Sequence, residues 1–323
     1  MRVLVTGAGG MLGQDVLAAA ARAGHEPLPL THAQLDVRDG GAVTAAVAAA
    51  RADALVNCAA WTDVDGAETH RDEAFAVNAE GARLLARAAR EAGLPMVHVS
   101  SDYVFDGRPP GDAGRDRPYR ESDPTAPQSV YGESKLAGER EVLAAGGEHA
   151  VVRSAWLFGV GGRNFVATML RLAREQGAGG ELGAGGELGT AREQGAVRER
   201  GAVRDQGAGG PCEVRVVTDQ VGSPTWTGHL APALIGLLDR HVSGLVHLAG
   251  GGQVSWNGLA AETFRQAEVE CEVKPATTAE MARPARRPAF SALESEREDV
   301  LPLPPWQDGL AGYLAARAGM IRS

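Results

Sequence analysis

The first thirteen residues constrain the fold more than any other stretch of the chain. Residues 2–6, RVLVT, are a short β-branched run ended by Gly7, and an apolar helical pattern follows over residues 11–23. The connecting GAGGMLG sets Gly7, Gly10 and Gly13 at the turn and the helix start. Glycines there permit a tight turn, close approach of a pyrophosphate to the backbone, and close helix packing. The helix N-terminus adds free N–H groups and a partial positive charge for a phosphate. The alternation continues, with strands at 27–30, 54–60, 95–101 and 149–159 and helices at 42–50, at 74–92 and around residues 131–135. This pattern predicts βαβ units, hence an α/β fold with a Rossmann-type doubly wound parallel sheet.

After Glu175 the character changes. Residues 176–210 are near-repeats (GAGGELG twice, then AREQGAV, RERGAV and RDQGAGG) whose glycine content and lack of apolar period cannot support a packed core. The segment, 176–211 at its widest, reads as a flexible insertion, either an expanded surface loop or a lid. Order resumes at 212–226, followed by a helix at 229–241, a short strand at 244–250, a helix at 256–267 and a last helix from 306 to 318. These pieces are too intermittent for a second doubly wound sheet and predict a smaller C-terminal substrate-binding lobe. Residues 1–160 are thus expected to be mainly a NAD(P)-binding domain and 161–323 mainly the lobe, with some C-terminal segments free to return to the first core.

Composition narrows the function classes. A net charge of −9, with scattered arginines, argues against a nucleic-acid footprint. No run reaches the ~18 apolar residues of a membrane span, so a soluble, cytoplasmic protein is expected. Cys58, Cys212 and Cys271 are odd in number and lack metal-type spacing, which predicts a reduced thiol set with Cys58 in the core.

Two local patterns carry chemistry. YGESK places Tyr131 and Lys135 four residues apart in a chain with four tyrosines and two lysines, which chance rarely does. On a helix they share a face, and a nearby ammonium is expected to lower the phenol's pKa towards that of a general acid working near neutral pH. Upstream, HVSSDYVFDG puts Ser100, Ser101 and Asp102 at the C-terminal end of a central strand, the edge where open α/β sheets bind ligands. A hydroxyl there can hold a substrate carbonyl while Tyr131 protonates it. The second strand ends at Leu30-Thr31-His32, with no acid for a ribose 2′-hydroxyl and no Arg for a 2′-phosphate, so NAD and NADP both stay open. Asp36, the next acid, either faces the adenine or caps the following helix.

Gly-x-x-Gly-x-x-Gly together with Tyr-x-x-x-Lys resembles the extended short-chain dehydrogenase/reductase superfamily. SSDYVFDG, YGESKLAGE, RSAWLFG, NFV, TDQVGSPT and RPAFSAL are, in order, similar to the blocks of the dTDP-4-dehydrorhamnose reductase family. The resemblance covers nearly the whole chain outside 176–211. It implies reduction of dTDP-4-dehydro-6-deoxy-L-hexose to dTDP-L-rhamnose, with NADPH as cofactor and NADH as an alternative. By the same resemblance Ser101, Tyr131 and Lys135 are catalytic. Gly7, Gly10, Met11, Leu12, Gly13, Asp36, Val37, Ala59, Ala60 and Thr62 join Tyr131 and Lys135 at the cofactor. Ser101, Asp102, Trp156, Asn164 and Arg287 fall at the sugar nucleotide. An Arg fork suits a diphosphate, and an aromatic wall suits a hexose. Trp156 reads equally as core packing and Arg287 as a solvated cation, while Asn78 either anchors the helix behind the site through a water or merely packs. Asp15 and Glu296 lie near positions where some relatives bind Mg²⁺ at a dimer contact; the resemblance leaves a homodimer open and no metal is assigned. An epimerase or dehydratase of the same fold, and a non-catalytic regulatory subunit, are the competing classes. Tyr103 and Val104 after Asp102 disfavour a dehydratase, and intact Ser101, Tyr131 and Lys135 disfavour the subunit.

Overall fold

A computed structural model describes residues 1–110, 117–177 and 211–322. Nearly all of the Gly-rich segment lies outside the described residues. The strands are β1 (Arg2–Thr6), β2 (Glu26–Leu30), β3 (Ala54–Asn57), β4 (Met96–Ser101), β5 (His149–Ser154), β6 (Leu157–Phe158), β7 (Glu213–Val217), β8 (Val221–Gly222), β9 (Thr225–Trp226), β10 (Gly244–His247), β11 (Val254–Ser255) and β12 (Glu272–Ala276). The first half carries the helices α1 (Met11–Arg22), α2 (Gly40–Ala50), α3 (Val64–Ala67), α4 (Arg71–Phe75), α5 (Ala82–Glu91) and α6 (Val130–Ala145). The second half carries α7 (Phe165–Glu175), α8 (Thr227–Asp239), α9 (Trp256–Gln266), α10 (Thr278–Met281) and α11 (Trp306–Arg322).

Six strands form one parallel sheet in the order β2-β1-β3-β4-β5-β10. Strands such as Ala54–Asn57 are buried along their whole length, as expected of a sheet covered on both faces. Helices α1 and α8 pack on one face through Val16, Leu234 and Ile235. Helices α2, α5 and α6 pack on the other through Val43, Leu85 and Val142. The order reverses between β1 and β3, which opens a crevice above their C-terminal ends. Beyond residue 160, α8 and β10 return to this sheet, whereas α7, α9 and α11 build a second core around Phe158, Phe165, Met169 and Tyr313.

Three local expectations change. The helix expected over 74–92 is interrupted by a π-helical turn, Ala76–Gly81, which turns the Asn78 side chain inward. The strand expected over 149–159 breaks where Trp156 takes a φ of +49°, and Leu157–Phe158 leave the main sheet to pair with β9. Cys212 and Cys271 form a disulfide with a Cα–Cα distance of 4.6 Å, not a pair of free thiols. The cause is register: parallel β7 and β12 pair Glu213 with Glu272, so the residues just before them meet across 59 positions of sequence. Among the described residues no helix is long and apolar enough to cross a membrane. Nor does any group of three or more metal-ligating side chains occur there.

Candidate active site

The crevice between β1 and β3 is a cleft of about 1030 Å³. Gly7 opens it with a φ of +68°, and a Cβ at that position would stand 2.5 Å from the Ala59 nitrogen. A Cβ on Gly13 would stand 2.3 Å from the Gly7 carbonyl oxygen, so α1 approaches the turn only because Gly13 lacks one. Gly10 caps α1 without a side chain, which leaves first-turn N–H groups available to a ligand. Gly7, Gly10, Met11, Leu12 and Gly13 line the cleft, as do Asp36, Val37, Ala59, Ala60, Thr62, Tyr131 and Lys135. This cradle of glycines and unspent N–H groups fits the pyrophosphate of a dinucleotide.

Thr31, His32, Asp36 and Arg38 lie on the same wall. Arg38 grips Asp36 as a fork, Nε to Oδ1 at 2.9 Å and Nη2 to Oδ2 at 2.6 Å. The guanidinium holds the Asp36 carboxyl down at about 2. An arginine therefore does stand in this part of the cleft, which sequence reasoning missed by stopping at the strand end. Asp36 is not the helix cap either; Asp39 caps α2 by accepting from the Ala42 N–H at 3.0 Å.

Tyr131 sits in the first turn of α6, which Ser129 caps through the Gly132 N–H at 3.2 Å. Lys135 is only 2% exposed and donates from Nζ to the Val99 carbonyl oxygen at 2.7 Å. Burial pushes its ammonium down to about 8, opposed chiefly by the Glu139 charge. Burial also pushes the Tyr131 phenol above its ordinary value; Ser101 opposes this, while Asp102 and Tyr103 add to it. The expected lowering by Lys135 is thus reversed, because desolvation dominates and the ammonium is turned to a backbone carbonyl.

Ser101 ends β4, and its Oγ donates to Asp102 Oδ1 at 2.9 Å and accepts from the Tyr103 N–H at 3.2 Å. Burial raises the Asp102 carboxyl to about 6 against the hydroxyls of Ser291 and Ser101. Its Oδ2 is buried without a hydrogen-bond partner. Asn78 ties its surroundings together through direct bonds. It accepts from the Trp61 N–H at 2.8 Å and donates to Ser134 Oγ on α6 at 2.9 Å.

A second cavity of about 150 Å³ adjoins the cleft and shares Thr62, Ser100, Tyr131 and Leu157 with it. Ser101, Trp156 and Arg287 line this cavity. Trp156 stacks on Trp256 with ring centroids 3.5 Å apart and donates to Ser291 Oγ at 3.2 Å. Arg287 pairs with Asp65 at 2.9 Å through one nitrogen, while its buried Nη1 has no partner. Asp102 and Asn164 are not part of either lining. Asn164 is consumed by the backbone: Oδ1 caps α7 through the Ala167 N–H at 2.9 Å, and Nδ2 donates to the Gly159 carbonyl at 2.7 Å. Trp256 had no sequence signal beyond being aromatic.

Residues 1–178 and 206–318 match the RmlD substrate binding domain family. The chain belongs to that family. The match pauses between 178 and 206, inside the Gly-rich segment. A dTDP-4-dehydrorhamnose reductase of Mycobacterium tuberculosis is 42% identical, over 98% of this chain and 93% of its own length. A dTDP-4-dehydrorhamnose reductase of Streptomyces griseus is 40% identical, over 98% of this chain and 94% of its own. Among solved structures, dTDP-4-dehydrorhamnose reductase of Bacillus anthracis in complex with NADP superposes with a TM-score of 0.82 at 31% identity, over 98% of this chain and 99% of that one.

Proposed function

We propose that the protein reduces the C4 keto group of dTDP-4-dehydro-L-rhamnose to give dTDP-L-rhamnose, using NADPH. The observation that carries this reading is the position of Tyr131, which lines both the dinucleotide-shaped cleft and the aromatic cavity beside it. A proton donor at that junction reaches a group held between the two compartments. The relatives named as dTDP-4-dehydrorhamnose reductases and the neighbour holding NADP support the substrate and the cofactor.

A dinucleotide held by the Gly7–Gly13 turn and the wall at Ala59, Ala60 and Thr62 would supply the hydride for C4. Ser101 Oγ, its one O–H turned from Asp102 Oδ1 to the substrate, holds the C4 oxygen, and Tyr131 delivers its proton to that oxygen as negative charge develops there. A phenol raised by burial stays protonated through neutral pH, the state a donor requires. Lys135 supplies positive charge behind the phenol, anchored to β4. The Trp156 indole is the hexose wall, and the unpartnered Arg287 Nη1 is the donor left for the nucleotide diphosphate. Asp102 tunes Ser101 from behind, and Asn164 shapes the cavity only through the helix it caps. Residues 1–160 serve mainly the cofactor and 161–323 mainly the sugar nucleotide. Two soluble, highly charged small-molecule reactants support a cytoplasmic reaction.

The test supplies dTDP-4-keto-6-deoxyglucose, a 3,5-epimerase and NADPH, and follows NADPH oxidation with mass spectrometry of the product. Formation of dTDP-L-rhamnose supports the reading. No dTDP-sugar-dependent oxidation, or an isomerised sugar without net oxidation, overturns it.

A further inference from the structure

Behind the reacting centre lies a buried ionic cluster that the proposed chemistry does not use. Glu139 follows Lys135 by four residues and Tyr131 by eight, so the three share one face of α6. Its Oε1 accepts from Ser100 Oγ at 2.6 Å and from Arg153 Nε at 2.9 Å. Its Oε2 accepts from Arg153 Nη2 at 2.7 Å. One carboxylate thus ties α6 to β5 through Arg153 and to β4 through Ser100, the residue beside Ser101.

A buried ion pair is weak evidence for stability, because well-packed apolar side chains of the same volume often do as well. Here the pair has a third member. Lys135, one turn before Glu139, carries its charge in a nearly dry site. The other titratable groups there give it little support. Cys58, after β3, is a thiol pushed up to about 12 by burial. His98, on β4, is held well below its ordinary value by burial and by Lys135 itself, so it is neutral. Tyr131 is a phenol raised by burial. Around the pair stand His247 of β10, whose Nε2 lies 3.5 Å from Arg153 Nη1, and Glu121, which accepts from the His247 backbone N–H at 2.7 Å. The Phe105 ring lies 4.9 Å from the Arg153 guanidinium carbon. The fixed negative charge on the helix face of Lys135 is that of Glu139.

We propose that Glu139, clamped by Arg153 and Ser100, is a positioning residue that keeps Lys135 charged and aimed at the end of β4. The inference rests on the reductase reading for its catalytic meaning, but the electrostatic coupling stands without it. Neutralising Glu139 removes the attraction, which favours loss of the Lys135 proton.

The chain contains two lysines, Lys135 and Lys274, so lysine labelled with ¹³C at Cε gives a two-signal titration. Lys274→Arg assigns them. In Glu139→Gln, the Lys135 midpoint is expected to fall by about one pH unit, the size a close opposite charge produces. Lys274, paired with Glu272 at the surface, stays where it was. The alkaline limb of kcat should move with Lys135, while KM for NADPH changes little. If the single variant does not fold, Glu139→Gln with Arg153→Met removes both buried charges and is titrated in its place, again with a lowered midpoint expected. An unmoved or raised Lys135 midpoint in a folded variant overturns the proposal. Failure of both variants to fold also overturns it, since Glu139 is then a stability element alone. Absence of wild-type turnover would sink the reductase reading and leave the titration result standing.

Discussion

Lys135 Nζ donates to the carbonyl oxygen of Val99 at 2.7 Å, two residues before Ser101 on the same strand. The bond pins α6 to the strand end that carries Ser101, and Tyr131 sits one turn back along that helix. Reactant positioning of this kind supplies much of an enzyme's advantage, since small displacements of the reacting groups are costly. The lysine is therefore a structural tie as well as a charge, and substitutions in this trio should separate the two roles.

Tyr131→Phe keeps the ring and its edge contact with Tyr103 at 5.4 Å, and removes only the hydroxyl. Turnover is expected to fall by ~10²–10⁴, the usual range for a lost general acid, with NADPH affinity nearly intact. Steady-state rates and cofactor fluorescence titration check both halves. Near-wild-type turnover would remove Tyr131 from the mechanism.

Lys135→Arg keeps a positive charge yet should also be damaging. The ammonium occupies a buried site with a single short bond to Val99, and a planar guanidinium brings five donors into space shaped for one point charge. A fall in kcat of about tenfold or more is expected, from displacement of α6 as well as altered charge. Full activity in the Arg variant would mean that any cation suffices.

What could be read from sequence was local. The Gly7–Gly13 turn and the Tyr131–Lys135 spacing each lie within seven residues, and helix and strand periods fix what such neighbours share. The Cys212–Cys271 bond, the return of β10 to the main sheet and the Trp156–Trp256 stack all depend on register between distant segments, which no local period encodes. Asn164, an Asn before an apolar helix, caps α7 through Oδ1, while its Nδ2 donates to the Gly159 and Gly162 carbonyls. Arg38 and Glu139, two residues after Asp36 and four after Lys135, lie within local reach of the same patterns.

Arg38 bears on cofactor choice. Asp36 is held ionised by the Arg38 fork, so the carboxylate that could accept from a ribose 2′-hydroxyl is already engaged, and the arginine adds positive charge to that wall. The wild type is expected to use NADPH at least as well as NADH. Arg38→Gln should lower kcat/KM for NADPH by about tenfold, or ~1.4 kcal/mol, and change NADH little. Equal losses with both cofactors would show that Arg38 acts on folding or on Asp36 rather than on a 2′-phosphate.

Removing residues 178–210 is expected to leave both stability and turnover close to wild type. Gln176 bridges the two described ends: its Nε2 donates to the Glu213 carbonyl at 3.0 Å, and its Oε1 accepts from the Glu213 N–H at 2.9 Å. A short linker therefore closes a gap that the fold already holds together, and loop length itself changes closure entropy only slowly. A normal melting temperature with weakened sugar-nucleotide affinity would instead make the segment part of substrate binding.

Asp102 gives a stability prediction with a definite sign. Burial raises its carboxyl from 3.8 to about 6, so between those values the folded chain binds more protons than the unfolded one. Stability from this group is then greatest below 3.8 and is lost as pH rises through about 6. The cost of ionised Asp102 at neutral pH is on the order of 3 kcal/mol, from ~1.4 kcal/mol for each pKa unit. Asp102→Asn removes the ionisation and keeps the shape, so its melting temperature relative to wild type should be higher near pH 8 than near pH 5. Calorimetry at the two pH values decides it. A difference that does not change with pH would show that Asp102 carries no buried charge, and that its influence on Ser101 is geometric alone.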